Sequence, residues 1–461
     1  MKLPKNRWLM ALAAVATHLS IGSIYAYSAW SMPLENTFGW NSTQTALAFS
    51  IAIFTLGLSA AFMGPFITRK GPRFGCLLAT LFFCTGLLGS ALACWLENLI
   101  LFYICFGGIS GVGLGLGYVA PVSTLVKWFP TQRGLATGLA IMGFGFGGMV
   151  CTLLIDTFSP ASDEVRIPAS MSAWEYNQAI EQDPSATFAN ASEGELRTVL
   201  VYDKPAIVRT FLILALIYFV LLIPSALIIS PPPEDGHTGP AEAKPTAHRH
   251  GAPHSTSMGP RHSHLDISPA QAIRSPAFYG LWLLLFLNAS CGIALIATAK
   301  KMGYEMVHLS AAVASALVMG ISIFNGLGRL VWSTLSDRWG RPNTFVAFFA
   351  LQVIAFPLLA HTASIPWLFM GLTFLILSCY GGGFATMPAY ISDLFGVRSM
   401  AIIFGWILTA WSTAGIIGPM ISAAIYDATH SYQLSLYIFT MVIALGLAIA
   451  IGMKLRIRHP H

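Results

Sequence analysis

The chain has 461 residues, of which 55% are apolar and 10% charged, with a mean hydropathy of +0.68. A soluble chain of this length carries about a quarter of its residues as charges, so the composition excludes a water-soluble globular protein and calls for lipid as solvent. The net charge of +6 does not point to nucleic acid, because the basic residues fall in short clusters between apolar runs and not on one face.

A membrane-spanning helix needs about 20 mostly apolar residues. Taken in order, twelve segments qualify: 8–30, 43–67, 73–95, 99–126, 134–157, 208–230, 275–299, 311–335, 343–361, 365–392, 399–425 and 433–454. The first run is too long for a cleavable signal and reads as a first span. Two polar stretches interrupt the series, at about 158–207 and 231–272. The first has Trp174, Tyr176 and several acids, and a small, partly helical cap over one mouth of the protein is expected there. The second contains Pro231-Pro232-Pro233 and scattered Gly, Ser and His, the composition of a flexible tether. Its histidines (His237, His248, His250, His254, His262, His264) are irregularly spaced, so no metal site is expected from them. The seven cysteines show no CxxC spacing, so neither a zinc site nor a disulfide framework is indicated, and no cofactor is expected.

Lys and Arg in the short loops set the orientation. Lys2, Lys5 and Arg7 precede span 1. Arg69, Lys70 and Arg73 separate spans 2 and 3, and Lys127 and Arg133 separate spans 4 and 5. Arg338 and Arg341 lie between spans 8 and 9, Arg398 between spans 10 and 11, and Lys454, Arg456 and Arg458 follow span 12. With alternating spans all of these fall on one side. Both termini and the 231–272 linker are therefore expected in the cytoplasm, with the 158–207 insertion external and the chain resident in the inner membrane.

The chain also repeats itself. Thr68-Arg69-Lys70-Gly71 and Asp337-Arg338-Trp339-Gly340 follow the second span of each half at an offset of 269. Pro121 and Pro388 are offset by 267, and Arg133 and Arg398 by 265. A near-constant offset predicts a duplicated six-helix unit. The expected fold is an all-α membrane protein of two pseudo-symmetric six-helix bundles, residues 1–230 and 273–461, joined by the 231–272 linker. That architecture suits alternating access to a site between the halves near the midplane.

The loops GPFITRKGPR (64–73) and STLSDRWGR (333–341) resemble the signature of the major facilitator superfamily, with Thr68 where Asp is usual and Ser333 where Gly is usual. The resemblance implies gating latches built from Arg69, Arg73, Asp337, Arg338 and Arg341. KWFPTQRGLATGL (127–139), GGISGVGLGLGYVAP (107–121) and FNGLGRLVWSTLSDRWGR (324–341) are similar to the oxalate/formate antiporter family of carboxylate transporters.

Arg329 is the most informative residue. It lies inside span 8, roughly 12 Å of helix from the end marked by Asp337. A charge at membrane depth costs about 2.5–3.5 kcal/mol even on lenient scales, so it should face a polar cavity. A guanidinium fork suits a carboxylate, and the resemblance implies that role. The resembling oxalate carrier also has a Lys in span 11, but aligning FGWILTAWSTAG (404–415) puts Trp411 there. One cation in place of two favours a monocarboxylate such as lactate, pyruvate or formate. In the alternative, an oxalate/formate-type exchanger, Lys300 or Lys301 would supply the second charge.

Tyr25, Tyr380 and Phe384 occupy the positions that box the substrate in the resembling family. Tyr380 and Phe384 are spaced i, i+4 and share a face. Tyr27 and Trp411 are further candidates. Asn325, four residues before Arg329, stands where monocarboxylate transporters have an Asp linked to proton coupling. Asn cannot titrate, and His18 is the other titratable candidate near mid-helix, so exchange and proton symport both remain open. Glycines in spans 4 and 5 are read as close-packing positions, and Gly381-Gly382-Gly383 as loosening span 10. No paired acids or nucleophile with a base occur at membrane depth, so an enzyme is not expected. A non-transporting receptor is the remaining alternative. The expected partners are a small carboxylate, a coupled proton or exchanged anion, and the lipid bilayer. Nucleic acid is not expected as a partner, and the chain is expected to work as a monomer.

Overall fold

A computed structural model describes residues 6–168, 171–183, 196–232, 267–361, 365–429 and 431–458. Among them, twelve helical segments are long and apolar enough to cross a membrane. Span 1 is α1 (Arg7–Ile21), a 3-10 turn (Gly22–Ala26) and α2 (Tyr27–Phe38). Spans 2 and 3 are α3 (Ser42–Lys70) and α4 (Pro72–Trp95). Span 4 is α5 (Leu99–Phe102), a π-helical turn (Tyr103–Ile109) and α6 (Ser110–Trp128). Span 5 is α7 (Arg133–Phe158). The short α8 (Ala173–Gln182) precedes α9 (Lys204–Ile228), which is span 6.

The second half opens with the short α10 (Pro269–Ile273). Spans 7 to 10 are α11 (Pro276–Val307), α12 (Ala311–Trp339), α13 (Arg341–Ala360) and α14 (Pro366–Phe395). Span 11 is α15 (Met400–Ile407) with α16 (Thr409–Thr429), and span 12 is α17 (Gln433–Arg458).

The duplication seen in the loop offsets is repeated in the packing. In the first half span 1 packs on span 5, span 2 on span 4 and span 3 on span 6. In the second half span 7 packs on span 11, span 8 on span 10 and span 9 on span 12. The halves meet through span 5 against span 8 and span 2 against span 11, again a symmetric pair. Two six-helix bundles therefore face each other across a shared seam. The face with the 2–3 and 8–9 loops is called the basic face below, and the opposite one the insertion face.

Span 7 covers Pro276–Ala299, in line with the expected 275–299, and its helix α11 continues to Val307 with Met302 and Val307 buried. One expectation needs correcting. The 158–207 insertion is not simply a partly helical cap. It contains an antiparallel pair, β1 (Asp163–Pro168) and β2 (Leu196–Val201), in register from Asp163 opposite Val201 to Pro168 opposite Leu196. With α8 it is tied to the insertion-face end of span 1. The Asn36 amide donates to Leu200 O (2.8 Å), Thr37 Oγ1 to Tyr202 O (3.2 Å) and the Asn177 amide to Asn36 O (3.3 Å). Trp174 covers Gly39, whose positive φ of 67° ends α2. Gly381-Gly382-Gly383, read as loosening span 10, lies within a continuous α14. These glycines allow close approach: a Cβ at 381 would collide with Asn325, one at 382 with Trp332 and one at 383 with Asn288. The linker histidines from His237 to His264 lie outside the described residues.

The seam between the halves depends on the same economy of side chains. A Cβ on Gly145 of α7 would run into the backbone of Gly326 on α12. Overpacking typically costs about 1–3 kcal/mol. Gly145→Ala is therefore expected to lower the melting temperature of the detergent-solubilised protein. Gly371→Ala, where a Cβ meets nothing within 4 Å, is expected to leave it unchanged or raise it; equal melting of the two variants would contradict the tight seam.

Candidate functional site

Arg329 is fully buried, at 0% exposure, where α12 faces α7 and α14. Nε donates to Asn325 Oδ1 at 3.2 Å, Nη1 to the Ile141 carbonyl at 3.4 Å and Nη2 to Tyr25 Oη at 3.4 Å. These are long bonds to neutral acceptors; charge-assisted ones are typically about 2.7–2.9 Å. Among the described residues no carboxylate pairs with it. The guanidinium lies over the rings of Tyr25 (5.8 Å), Phe144 (5.2 Å) and Phe384 (5.6 Å). A permanent charge taken out of water and given only neutral partners is an unbalanced cation.

Each partner arrives by a definable route. Asn325 sits one turn before Arg329 on α12, and the glycine at 381 lets α14 approach both. Tyr25 is carried by the 3-10 turn of span 1, and its hydroxyl is 2.6 Å from that of Tyr380 on α14. Phe384, one turn further along α14, packs on Tyr380 at 5.1 Å. Trp411 on α16 is 0% exposed and touches the same three rings that carry the guanidinium: Tyr25 at 6.3 Å, Phe144 at 5.6 Å and Phe384 at 4.8 Å. Spans 1, 5, 8, 10 and 11 thus converge on one compartment. A water-sized cavity beside it is lined by Tyr25, Ile296, Val318, Ile321, Ser322 and Asn325, on the insertion-face side of Arg329.

Six of the seven sequence candidates come together here: Arg329, Asn325, Tyr25, Tyr380, Phe384 and Trp411. Tyr27 does not. Its hydroxyl donates to Thr45 O at 2.5 Å and its ring packs on Phe49 and Phe106 inside the first bundle. Residues two apart on a helical turn are rotated by roughly 200–240°, so Tyr25 and Tyr27 cannot face one cavity. The side chains of Lys300 and Lys301 lie outside the described residues. His18 is buried, with Nδ1 3.0 Å from Ala14 O and its ring edge-on to Tyr118 at 5.2 Å.

Sequence reasoning missed Phe144, Tyr118 and the Ile141 carbonyl. Tyr118 of α6 is fully buried and packs on Phe144 (5.3 Å) and Trp411 (5.5 Å). Its hydroxyl and Trp411 Nε1 are buried with no hydrogen-bond partner among the described residues. Tyr118 stands in the glycine-rich run of span 4, and one aromatic among glycines was the available signal.

The basic face is closed by a polar cluster that crosses the seam. Asp337 accepts from the backbone N–H groups of Gly134 and Leu135, both at 3.0 Å, and so caps the first turn of α7. Arg341 donates to Asp337 Oδ1 (2.5 Å), to Asp393 Oδ2 (3.1 Å) and to Ser336 Oγ. Asp393 also receives Arg133 at 3.1 Å. Of the expected latch residues, Asp337 and Arg341 are in this cluster, whereas Arg69, Arg73 and Arg338 are exposed and outside it. Arg133 and Asp393 join it unforeseen. At the pseudo-symmetric position Thr68 turns its hydroxyl back to Gly64 O (2.9 Å), and Gly64 instead packs against the backbone of Ala401 and Ile402. One of the two pseudo-symmetric contacts is charged and the other apolar.

Twelve spans paired alike in two halves, with a buried polar centre on the seam, define a polytopic membrane transporter. The chain belongs to the Major Facilitator Superfamily, whose family model matches residues 10–161 and 282–461. It is similar to the oxalate:formate antiporter of Oxalobacter formigenes, at 23% identity over 91% of this chain and 85% of that one. It is also similar to the MFS-type transporter YhjX of Escherichia coli, at 22% identity over 89% and 86%. Apicoplast pyruvate carrier 1 of Toxoplasma gondii is 27% identical over 68% of this chain and 57% of the carrier. Among solved structures, the E. coli fucose:proton symporter FucP matches with a TM-score of 0.63 at 15% identity, covering 97% of this chain and 98% of that one. The human organic anion transporter MFSD10 matches with 0.64 at 13% identity, covering 97% and 100%. Both show the shared fold.

Proposed function

We propose that the protein carries a small monocarboxylate across the cytoplasmic membrane by alternating access, with Arg329 as the carboxylate receptor. The observation that supports this is the buried guanidinium with no anionic partner among the described residues: a carboxylate would balance its charge and replace its long bonds to Asn325, Ile141 and Tyr25 with charge-assisted ones. Tyr25 and Tyr380 supply hydroxyls at the same point, and Phe144, Phe384 and Trp411 exclude water and limit ligand size. One cation in the compartment among the described residues favours one carboxylate. The relatives named for oxalate:formate exchange and pyruvate carriage agree with an anionic cargo.

In this reading the basic face is cytoplasmic, with both termini on that side. The cluster around Asp337, Arg341 and Asp393 holds that side shut until the cargo is bound. Uptake and exchange of radiolabelled lactate, pyruvate, formate and oxalate in proteoliposomes test the reading. Flux of monocarboxylates well above that of oxalate is expected. No flux of any carboxylate by folded protein would overturn it.

A further inference from the structure

In the core of the second bundle two buried amides join three spans. Asn288 of α11 and Gln352 of α13 are 1% and 0% exposed. Polar groups buried at membrane depth are costly unless matched, and this pair is matched in one direction. Gln352 Nε2 donates to Asn288 Oδ1 at 3.0 Å and to Phe348 O at 3.1 Å, while Gln352 Oε1 has no partner among the described residues. With its oxygen held towards α13, the Asn288 amide turns its NH2 group to α14, where it donates to the Tyr380 carbonyl at 3.4 Å. The same face of α11 meets Tyr380 again one turn later, since a Cβ on Gly292 would collide with the tyrosine ring. Tyr380 is thus held at its carbonyl and at its ring by one helix. Its hydroxyl ends 2.6 Å from that of Tyr25, which meets Arg329 Nη2 at 3.4 Å.

We propose that Asn288, oriented by Gln352, is a positioning residue for the carboxylate site: it fixes Tyr380 along span 10 so that its hydroxyl meets Tyr25 beside the guanidinium. The proposal rests on Arg329 and the two tyrosine hydroxyls receiving a carboxylate, and it extends that site to two amides on spans 7 and 9. The glycine contacts along α14 set how near the helix comes to its neighbours but give no register along its axis; the hydrogen bond from Asn288 does. Register matters because a hydroxyl pair tolerates little displacement, hydrogen bonds weakening steeply with distance and angle. Donors already in place bind a ligand more tightly, since less ordering is left to the binding step. Gln352 acts one step further back. Both of its N–H bonds are spent on acceptors, so it holds the Asn288 amide in the one orientation that leaves a donor for Tyr380.

The test is a ligand titration of the purified, detergent-solubilised protein, read as the shift in melting temperature, with sodium formate, lactate and pyruvate. Asn288→Leu removes the amide and keeps the bulk. It is expected to raise the concentration at half-effect by roughly three- to tenfold, the scale of one hydrogen bond. Gln352→Met, which frees the Asn288 amide to turn, is expected to raise it as well and serves where the asparagine variant does not fold. Combination with Tyr380→Phe separates positioning from packing. Because the amide acts through the Tyr380 hydroxyl, either substitution is expected to add about twofold or less once that hydroxyl is gone. Half-effects unchanged in the folded single variants overturn the proposal and leave the carboxylate reading standing. Effects that multiply in the combined variants make the amides a packing device of the second bundle and overturn the positioning role. No shift with any of the three acids in the unmodified protein overturns the carboxylate reading, and the proposal with it.

Discussion

Replacing Arg329 with alanine is expected to abolish carboxylate transport without lowering the melting temperature. Removing one partner of a desolvated charge pair costs about 2–5 kcal/mol in binding, which converts to a loss of roughly 30-fold to several thousand-fold. The guanidinium's protein partners are an amide oxygen, a phenol and a backbone carbonyl at 3.2–3.4 Å. These cannot offset its desolvation, so deleting the charge relieves the fold. Arg329→Lys keeps the charge and loses the fork and the stacking on Phe144, so a small residual flux is expected. Flux in proteoliposomes and thermal melting check this together. Full transport by Arg329→Ala would remove the residue from the site, and a large fall in melting temperature would make it a structural cation.

The second large effect is expected at the basic face. Asp337→Asn keeps the shape of the side chain but removes the charge that caps α7 and receives Arg341. A cap is worth about 0.5–2 kcal/mol and breaking a part-buried ion pair costs more, so the closed arrangement should lose at least tenfold in population. A reporter is available at Ala401, which is 8% exposed and packs against Gly64 on the opposite half. The seven native cysteines are all buried. Ala401→Cys alone is expected to react slowly with a bulky maleimide, and at least tenfold faster when combined with Asp337→Asn. Unchanged labelling would mean that the apolar contact at Gly64 closes this face without help from the charged cluster.

The spans were readable because lipid forces every membrane helix to announce itself as an apolar run, and because duplication leaves loop landmarks at a fixed offset. Helix ends were less readable. Lys300 and Lys301 look like a terminus, yet burial of Met302 and Val307 carries α11 onwards. The hairpin was invisible because Asp163–Pro168 and Leu196–Val201 are short and separated in sequence, and their register depends on a pairing that no local pattern encodes. In the site, a lone intramembrane arginine is conspicuous, so Arg329 and its helical neighbour Asn325 were legible. Tyr380, Phe384 and Trp411 were legible through resemblance. Phe144 and Tyr118 were not: an aromatic residue in a glycine-rich helix reads as packing until the crossing of spans 4, 5 and 11 brings Phe144 over the guanidinium and Tyr118 against Phe144 and Trp411. The same holds for Asp393, a terminal acid in sequence and a link between Arg133 and Arg341 in space.

The hairpin between spans 5 and 6 begins five residues after the end of α7 and ends three before the start of α9, and it is pinned to span 1 at Asn36, Thr37 and Gly39. It is therefore a pointer mounted on one half. Six paired residues extend it by roughly 20 Å, so a tilt of about ten degrees at the midplane carries its far end some 3–4 Å, by the lever of that strand length. The molecule writes the angle between its halves into the position of a short ribbon outside the twelve spans, where a probe reads it without entering the membrane.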